Sequence, residues 1–584
     1  MAAPIRIANI SGFFGDRQSA AREMIDGGRV DVLTGDWLAE LTMLILARMR
    51  ARRPDGGYGR TFVDQMSDVM ADVMQARIKV VTNAGGLDPR ACAAAVAEVA
   101  EGLGLAPRIA TVTGDDLMPV MADLVEAGER FEHLDTGEAL GDRIGRLVTS
   151  NAYFGGWGIA AALDAGADIV ITGRVTDAAL VVGPAAWHHG WKRTDWDRLA
   201  GAVVAGHVIE CGTQASGGNY SFFSELERPV HLGFPWAEIA EDGSSVIGKH
   251  ADSGGEVSLG TVLSQLLYEI GSPRYHNPDV TARFDTIRIR DRGGDRVELT
   301  GIAGESPPQG LKVSAAFGGG FRNSVLIGLT GGDIDGKREL VERQFWDACP
   351  WGPEDYDEVS TELIGRPAPG TNPDAICYLR IAARDQDERK VGRAWSNAYT
   401  SIALGSVPGF FGEFPPGSAT PYAVMWPTTV TRSRVAQVVT VGDREFEVTP
   451  TPVGQTFDPA PAPTPGEVWE GAPMQPAAIG TIVGARSGDK AGNANLGVFV
   501  RSPEQYPWLE SFLTVEQLAA MMPDLAPFRI VRHVLPNLMA INFEIFGLLS
   551  DGVSSSLRPD PQAKGLGEYF RSIEVPIPAR FLMR

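Results

Sequence analysis

Strand-length apolar runs at residues 5–10, 30–34, 78–83, 109–113 and 168–172 are each followed by an Ala-rich stretch with helical spacing of its apolar positions. That alternation predicts parallel strands joined by crossover helices. From about residue 229 to 449 the pattern changes. Residues 286–289 and 297–300 alternate around Arg292-Gly293-Gly294-Asp295, a hairpin signal, so this region reads as a mixed α+β continuation. Further strand-like runs at 479–500, 528–549 and 572–577 surround helical patterns near 515–522 and 561–570, which predicts a small layer of helices on an antiparallel sheet. Between them, Pro450, Pro452, Pro459, Pro461, Pro463, Pro465, Pro473 and Pro476 remove amide donors and favour extended chain. The expected plan is an α/β main domain over 1–448 with a subdivision near 229, a proline-rich linker over 449–478, and a small α+β domain over 479–584. The main domain is expected to be a large parallel or mixed sheet with helices on both faces.

Composition narrows the class. A chain of 584 residues with 44% hydrophobic content can bury more than one core, which removes disorder and fibre from consideration. Lys plus Arg number 52 against 73 Asp plus Glu, a formal charge of -21 that disfavours nucleic acid and anionic membrane surfaces. Any anionic ligand must therefore find local cations. The 69 Gly and 39 Pro suit a loop-rich α/β enzyme. Cys92, Cys211, Cys349 and Cys377 are too scattered for a disulfide framework or a zinc clip, which fits a reducing compartment. No basic leader with an apolar core and no run approaching about 18 apolar residues is present, so the chain reads as soluble and cytoplasmic.

Ligands of open parallel sheets lie beyond the carboxyl ends of the strands, so the loops that follow the runs are the first place to look. They are polar and glycine-rich: Ser11-Gly12-Phe13-Phe14-Gly15-Asp16, Thr34-Gly35-Asp36, Asn83-Ala84-Gly85-Gly86, Thr113-Gly114-Asp115-Asp116 and Thr172-Gly173-Arg174-Val175-Thr176-Asp177. Each also reads as ordinary turn and cap chemistry. None is a complete dinucleotide or Walker loop, and no cofactor is indicated by motif. Asn83, Gly85 and Gly86, between a strand and a helix with Lys79 and Arg90 close in sequence, form the strongest candidate for a phosphate or carboxylate. Gly12, Asp16, Arg174 and Asp177 complete the strand-end binding candidates. Phe13, Phe14, Tyr153, Phe154 and Trp157 are candidates for an apolar channel or for core.

Asp36 and Glu40 would share one face if a helix starts at Asp36, and paired carboxylates whose pKa values diverge supply both an acid and a base. In the run 206–214, His207 is a candidate base and Cys211 a candidate nucleophile, on one face if the segment is a strand, with Glu210 opposite. A buried cysteine beside a satisfied histidine is the alternative. Neither a G-x-S-x-G elbow nor an H-E-x-x-H helix occurs. Arg486, Ser487 and Lys490, read as part of a polar hairpin loop, bring donors and positive charge suited to a carboxylate or phosphate. Dispersed His and Asp give no metal-ligand spacing.

The motifs Ala8-Asn9-Ile10-Ser11-Gly12-Phe13-Phe14-Gly15-Asp16 and Thr34-Gly35-Asp36-Trp37-Leu38-Ala39-Glu40 resemble those of the acyclic terpene utilisation protein AtuA family. Asn83-Ala84-Gly85-Gly86, the run 172–177, the run 206–212 and Leu267-Tyr268-Glu269-Ile270-Gly271 extend the resemblance over about 5–448. Ala485-Arg486-Ser487-Gly488-Asp489-Lys490 resembles the family's appended ferredoxin-fold domain, at about 478–580. Ala491 stands where that pattern leads one to expect glycine. The resemblance implies a catabolic protein that works beside acyl-CoA carboxylases, dehydrogenases and hydratases on citronellol-like or branched acyl chains. It carries over no catalytic residues. The leading expectation is an enzyme acting on branched acyl-CoA thioesters by lyase or hydratase chemistry, with Asp36 or Glu40 moving the proton. Rival readings are a non-catalytic partner of an acyl-CoA carboxylase and a metal-dependent hydrolase that uses a divalent ion at the strand-end aspartates. A homo-oligomer is expected on general grounds.

Overall fold

The computed structural model describes residues 3–53, 56–454 and 473–583, so residues 455–472 of the proline-rich stretch lie outside the described residues. The parallel strands Ile5–Asn9, Val32–Gly35, Lys79–Thr82, Ile169–Thr172 and Ile109–Thr113 lie side by side in that order. Val32–Gly35 and Ile169–Thr172 are buried at every position, as strands covered on both faces must be. Leu33, Val80, Ile169 and Ile171 meet Phe62, Met66 and Val69 of the helix Arg60–Ala76, with Cys92 and Val96 of Pro89–Gly102 in the same core. The alternate residues, such as Val32, Val81 and Val170, point to the other face. There the helix Ala179–His189 packs against the first three parallel strands and is buried along most of its length.

Antiparallel strands extend the sheet at both ends. Pro235–Ile239 pairs with Ile5–Asn9 and leads to Ser245–Lys249, Arg296–Thr300 and Arg288–Asp291, while Gln437–Val441 pairs with Ile109–Thr113. The hairpin around Arg292-Gly293-Gly294-Asp295 forms as its sequence predicts. No division falls at 229, because the pairing of Pro235–Ile239 with the first strand makes both sides of that point one sheet.

The C-terminal sheet has the order Val483–Lys490, Asn493–Val500, Ala540–Phe546, Arg529–Leu535, antiparallel throughout, with the helices Tyr506–Phe512, Val515–Met521 and Leu566–Ser572 against it. A separate pair, Met474–Ala478 with Glu574–Pro578, brings the end of the proline-rich stretch into regular structure. The chain is thus α/β with a small α+β sandwich appended.

The chain divides into two compact units: Met1–Ala315, Trp426–Leu548 and Gln562–Arg584 in one, Ala316–Met425 and Leu549–Pro561 in the other. The first contains both the parallel sheet and the C-terminal sandwich. The second is an antiparallel sheet built on Glu358–Ile364 and Ile376–Asp385, with Phe345 and Trp395 from its helices packed on Ile327, Leu379 and Ile381. Among the described residues no helix is long and apolar enough to cross a membrane.

Two local expectations are corrected. Residues 206–209 end a helix, Trp196–Ile209, whose Ala- and Val-rich run is buried along its length, so the strand alternation assigned to His207, Ile209 and Cys211 does not apply. Arg486 to Lys490 are strand, not loop; the turn is Ala491-Gly492, between Lys490 and its partner Asn493. Ala491 sits there at φ 54°, a left-handed conformation that a two-residue hairpin gives most readily to glycine. Ala491→Gly should therefore raise unfolding stability by about 0.5–1 kcal/mol in urea denaturation, and Ala491→Val should lower it.

Candidate active site

The strand ends are laced together before any side chain reaches a site. Ile10 N donates to Thr34 O at 2.8 Å, Asp36 N to Ser11 O at 2.9 Å, and Thr82 Oγ1 to Gly35 O at 3.1 Å. The helix that follows begins at Glu40 with Ala39 as its cap, so Asp36 precedes it and does not share a helical face with Glu40. Asp36 is buried, and its Oδ1 accepts from Asn83 Nδ2 at 2.6 Å and Leu38 N at 3.0 Å. Asn83 in turn accepts from Trp37 N at 2.8 Å, which fixes the loop around Asp36.

Arg174, buried at the end of Ile169–Thr172, reaches back to Leu38 O at 2.7 Å, lies 3.0 Å from Asp177 Oδ1, and stacks 4.2 Å from the Tyr153 ring centre. Beneath it, Asp115 Oδ2 accepts from Arg174 N at 2.7 Å and from Asn151 Nδ2 at 2.9 Å.

The two carboxyls singled out in sequence are pushed in opposite directions. Burial, with the Asp177 carboxylate adding to it, drives the Asp36 carboxyl well above its ordinary value, against Arg174 and Asn83. Burial also opposes ionisation of Glu40, but Lys312 Nζ at 3.1 Å outweighs it and holds that carboxyl below its ordinary value. Their divergence comes from different neighbours and not from mutual repulsion.

His207, Glu210 and Cys211 lie at the end of the helix Trp196–Ile209. His207 is 1% exposed; its Nδ1 is 3.4 Å from Glu210 Oε1, and neither ring nitrogen finds a well-aligned hydrogen-bond partner. Burial lowers it to about 4, so it is a neutral imidazole. Burial, then Asp177 and Glu269, keep Glu210 protonated well above the usual range, with its Oε2 also unmatched. Burial and Glu210 raise the Cys211 thiol well above its ordinary value, which makes it a poor nucleophile.

The strand Val483–Lys490 closes on these groups. Arg486 bonds Gln214 and stacks 4.2 Å from the Tyr268 ring centre, and Lys490 Nζ donates to Glu269 O at 3.3 Å. Burial, then Glu269, raise Asp489 to about 7, and burial, then Lys312, lower Lys490. Glu269 has φ 55°, and two buried asparagines of the C-terminal sheet hold its turn. Asn495 accepts from Glu269 N at 3.0 Å and donates to Leu267 O at 2.7 Å. Asn542 donates to Ile270 O at 3.0 Å and Gly271 O at 2.9 Å and accepts from Asn495 at 2.9 Å.

The structure thus brings Asp36, Glu40, Asn83, Arg174, Asp177, His207, Cys211, Arg486 and Lys490 into one electrostatically linked cluster. Other candidates serve the scaffold. Gly85 and Gly86 close a tight turn: a Cβ on Gly85 would lie 2.5 Å from Thr172 O, Gly86 has φ 54°, and Asp88 N and Gly86 N bond within the loop. Asp16 accepts from Gly12 N at 2.8 Å, and Gly12 packs so closely on Cys211 that a Cβ would lie 2.6 Å from its carbonyl carbon. Ser487 Oγ accepts from Gly567 N at 2.9 Å. Lys312, Glu269, Asn495, Asn542 and Lys564 were not singled out as site residues, although Glu269 lies in the 267–271 motif. Lys312 meets Glu40 across 272 residues of chain, a pairing with no local signal. Among the described residues, no group of three or more His, Cys, Asp and Glu is arranged to hold a metal ion.

A buried set of acidic and basic groups at the carboxyl ends of parallel strands, closed by a strand from a small antiparallel domain, defines the class of α/β protein. The chain belongs to the acyclic terpene utilisation family of AtuA proteins, whose pattern matches residues 5–441, and residues 477–576 match the AtuA ferredoxin-like domain. A search of the curated proteins returned no match.

Two stability measurements check this geometry. Asn542→Ala removes the partner of two carbonyls and of one N–H of the Asn495 amide in a buried setting and should cost about 2–4 kcal/mol in chemical denaturation. Burial raises Asp115 from 3.8 to about 7. A carboxyl raised on folding stabilises fully below its unfolded value, and this contribution is lost as pH rises through the folded one. Wild type should therefore lose stability relative to Asp115→Asn between pH 4 and 7, at up to about 1.4 kcal/mol per pH unit.

Proposed function

We propose that this protein is an enzyme that acts on branched or terpenoid acyl-CoA thioesters by acid–base chemistry, as a hydratase or lyase. The observation that carries the reading is the opposite displacement of Asp36 and Glu40 at the strand ends: burial raises the Asp36 carboxyl well above its ordinary value, while Lys312 outweighs burial at Glu40 and holds that carboxyl below it. That division is what a proton-transfer site requires. In a hydration, the protonated carboxyl gives its proton to one alkene carbon. The ionised carboxylate takes a proton from the water whose oxygen bonds to the other. In a lyase step, the base removes a hydroxyl proton as the carbon–carbon bond breaks, and the acid protonates the departing carbon. Asp36 is assigned the acid and Glu40 the base, with Arg174 and Lys312 stabilising developing negative charge on the thioester oxygen. His207, lowered to about 4 by burial, is a weak base and is assigned no proton in this scheme. Membership of the acyclic terpene utilisation family supports the choice of acyl chain.

The test is incubation of the purified chain with branched and terpenoid acyl-CoA esters, followed by mass analysis. The expected product gains or loses one water, or splits into two acyl fragments. Asp36→Asn should lower turnover by roughly 100-fold or more while the protein remains folded. Absence of any product with the wild type, or unchanged turnover in Asp36→Asn, would remove the respective part of the reading.

A further inference from the structure

A cavity of about 270 Å³ opens beside the buried cluster, between the loop that carries Asn219, Tyr220 and Phe223 and the C-terminal residues Arg486 and Lys564. Its walls carry more positive charge than the rest of this acidic chain leads one to expect. Arg486 is 4% exposed, and its Nε has no hydrogen-bond partner although the guanidinium is stacked on Tyr268. Lys564 Nζ bonds the Tyr268 hydroxyl and lies 4.8 Å from the same ring centre, so one aromatic ring holds both cations in place. The acidic residue on the wall, Glu568, is already matched by Arg571 at 2.8 Å. Two fixed cations therefore face the cavity with no unmatched carboxylate on its wall. Beside them Phe223 is 65% exposed, an aromatic surface left uncovered at the rim.

We propose that this cavity binds an oxyanion, carried by a ligand whose apolar or planar body rests on Tyr220 and Phe223. Arg486 and Lys564 neutralise the anion, which is either the carboxylate of a branched acid or a phosphate of coenzyme A. Lys564 replaces Lys490 in the role assigned from sequence, because Lys490 is turned to the Glu269 carbonyl. Arg486 and Lys564 also act on Cys211 and Asp489, so the anion sits next to the acid–base cluster. The inference rests on the thioester reading for the direction in which the ligand continues, but binding does not require turnover.

Calorimetric titration of the full chain with inorganic phosphate, free coenzyme A and a branched free acid tests it. At least one probe should bind. Coenzyme A alone or with phosphate identifies the phosphate source, and the free acid identifies the carboxylate source. Lys564→Gln should weaken that binding at least about tenfold. Glu568→Gln, at a side chain 58% exposed, should tighten it severalfold by leaving the Arg571 charge beside the cavity without its carboxylate. Phe223→Ala should weaken coenzyme A or acid and leave inorganic phosphate unaffected. Failure of every probe to bind wild type, or equal affinities in wild type, Lys564→Gln and Glu568→Gln, overturns the proposal. Binding without turnover keeps the cavity and removes the enzyme reading; turnover with affinities insensitive to both variants does the reverse.

Discussion

A carboxyl group withdrawn from water must either keep its proton or face a fixed cation, and in this protein both solutions stand side by side. Asp36, Glu210 and Asp489 are displaced toward the first, raised by burial and then by nearby carboxylates: Asp177 for Asp36, Asp177 and Glu269 for Glu210, and Glu269 for Asp489. Glu40 takes the second, against Lys312. Arg174 joins the two sets, since its charge bears on Asp36, Glu40 and Glu210 alike. Much of the local architecture follows from this need. Asn83, Asn151 and the Leu38 carbonyl are placed to satisfy charged or protonated groups that the sheet would otherwise leave stranded.

The appended domain is part of that solution. Its first strand supplies Arg486, Asp489 and Lys490, and its next two supply the asparagines that clasp residues 267–271. The clasp holds Glu269 in a left-handed turn, a conformation that a glutamate avoids unless its surroundings impose it. Gly488 and Gly497 permit the close approach, because a Cβ on either would fall within 2.6 Å of Tyr268 or Leu267. The sandwich therefore completes the charge balance of the site as well as packing against the main sheet.

The alternation of apolar runs and helical stretches made the parallel strands legible, because buried parallel strands leave a dense β-branched signature that needs no partner to be read. The polar loops at their ends were legible for the same reason, and Asp36, Glu40 and Arg174 emerged from them. The end of the helix Trp196–Ile209 leaves strand and helix both open in the sequence, because an Ala- and Val-rich helix buried on all sides loses its 3.6-residue alternation and short windows then mimic a strand. Within the strand-like run 479–500, the stretch Arg486 to Lys490 reads as a loop because its polar residues are buried against partners supplied by distant segments.

The chain's own pattern determined the α/β class, the small antiparallel sandwich and the place where chemistry collects, since periodicity and strand-end composition are local properties. Tertiary structure decided which groups act together. Lys312 reaches Glu40, Lys490 reaches Glu269 and Asn542 reaches Gly271 across hundreds of residues. The ionisation of each carboxyl depends on burial and on those distant neighbours, quantities that exist only once the sheet and the sandwich have closed on one another.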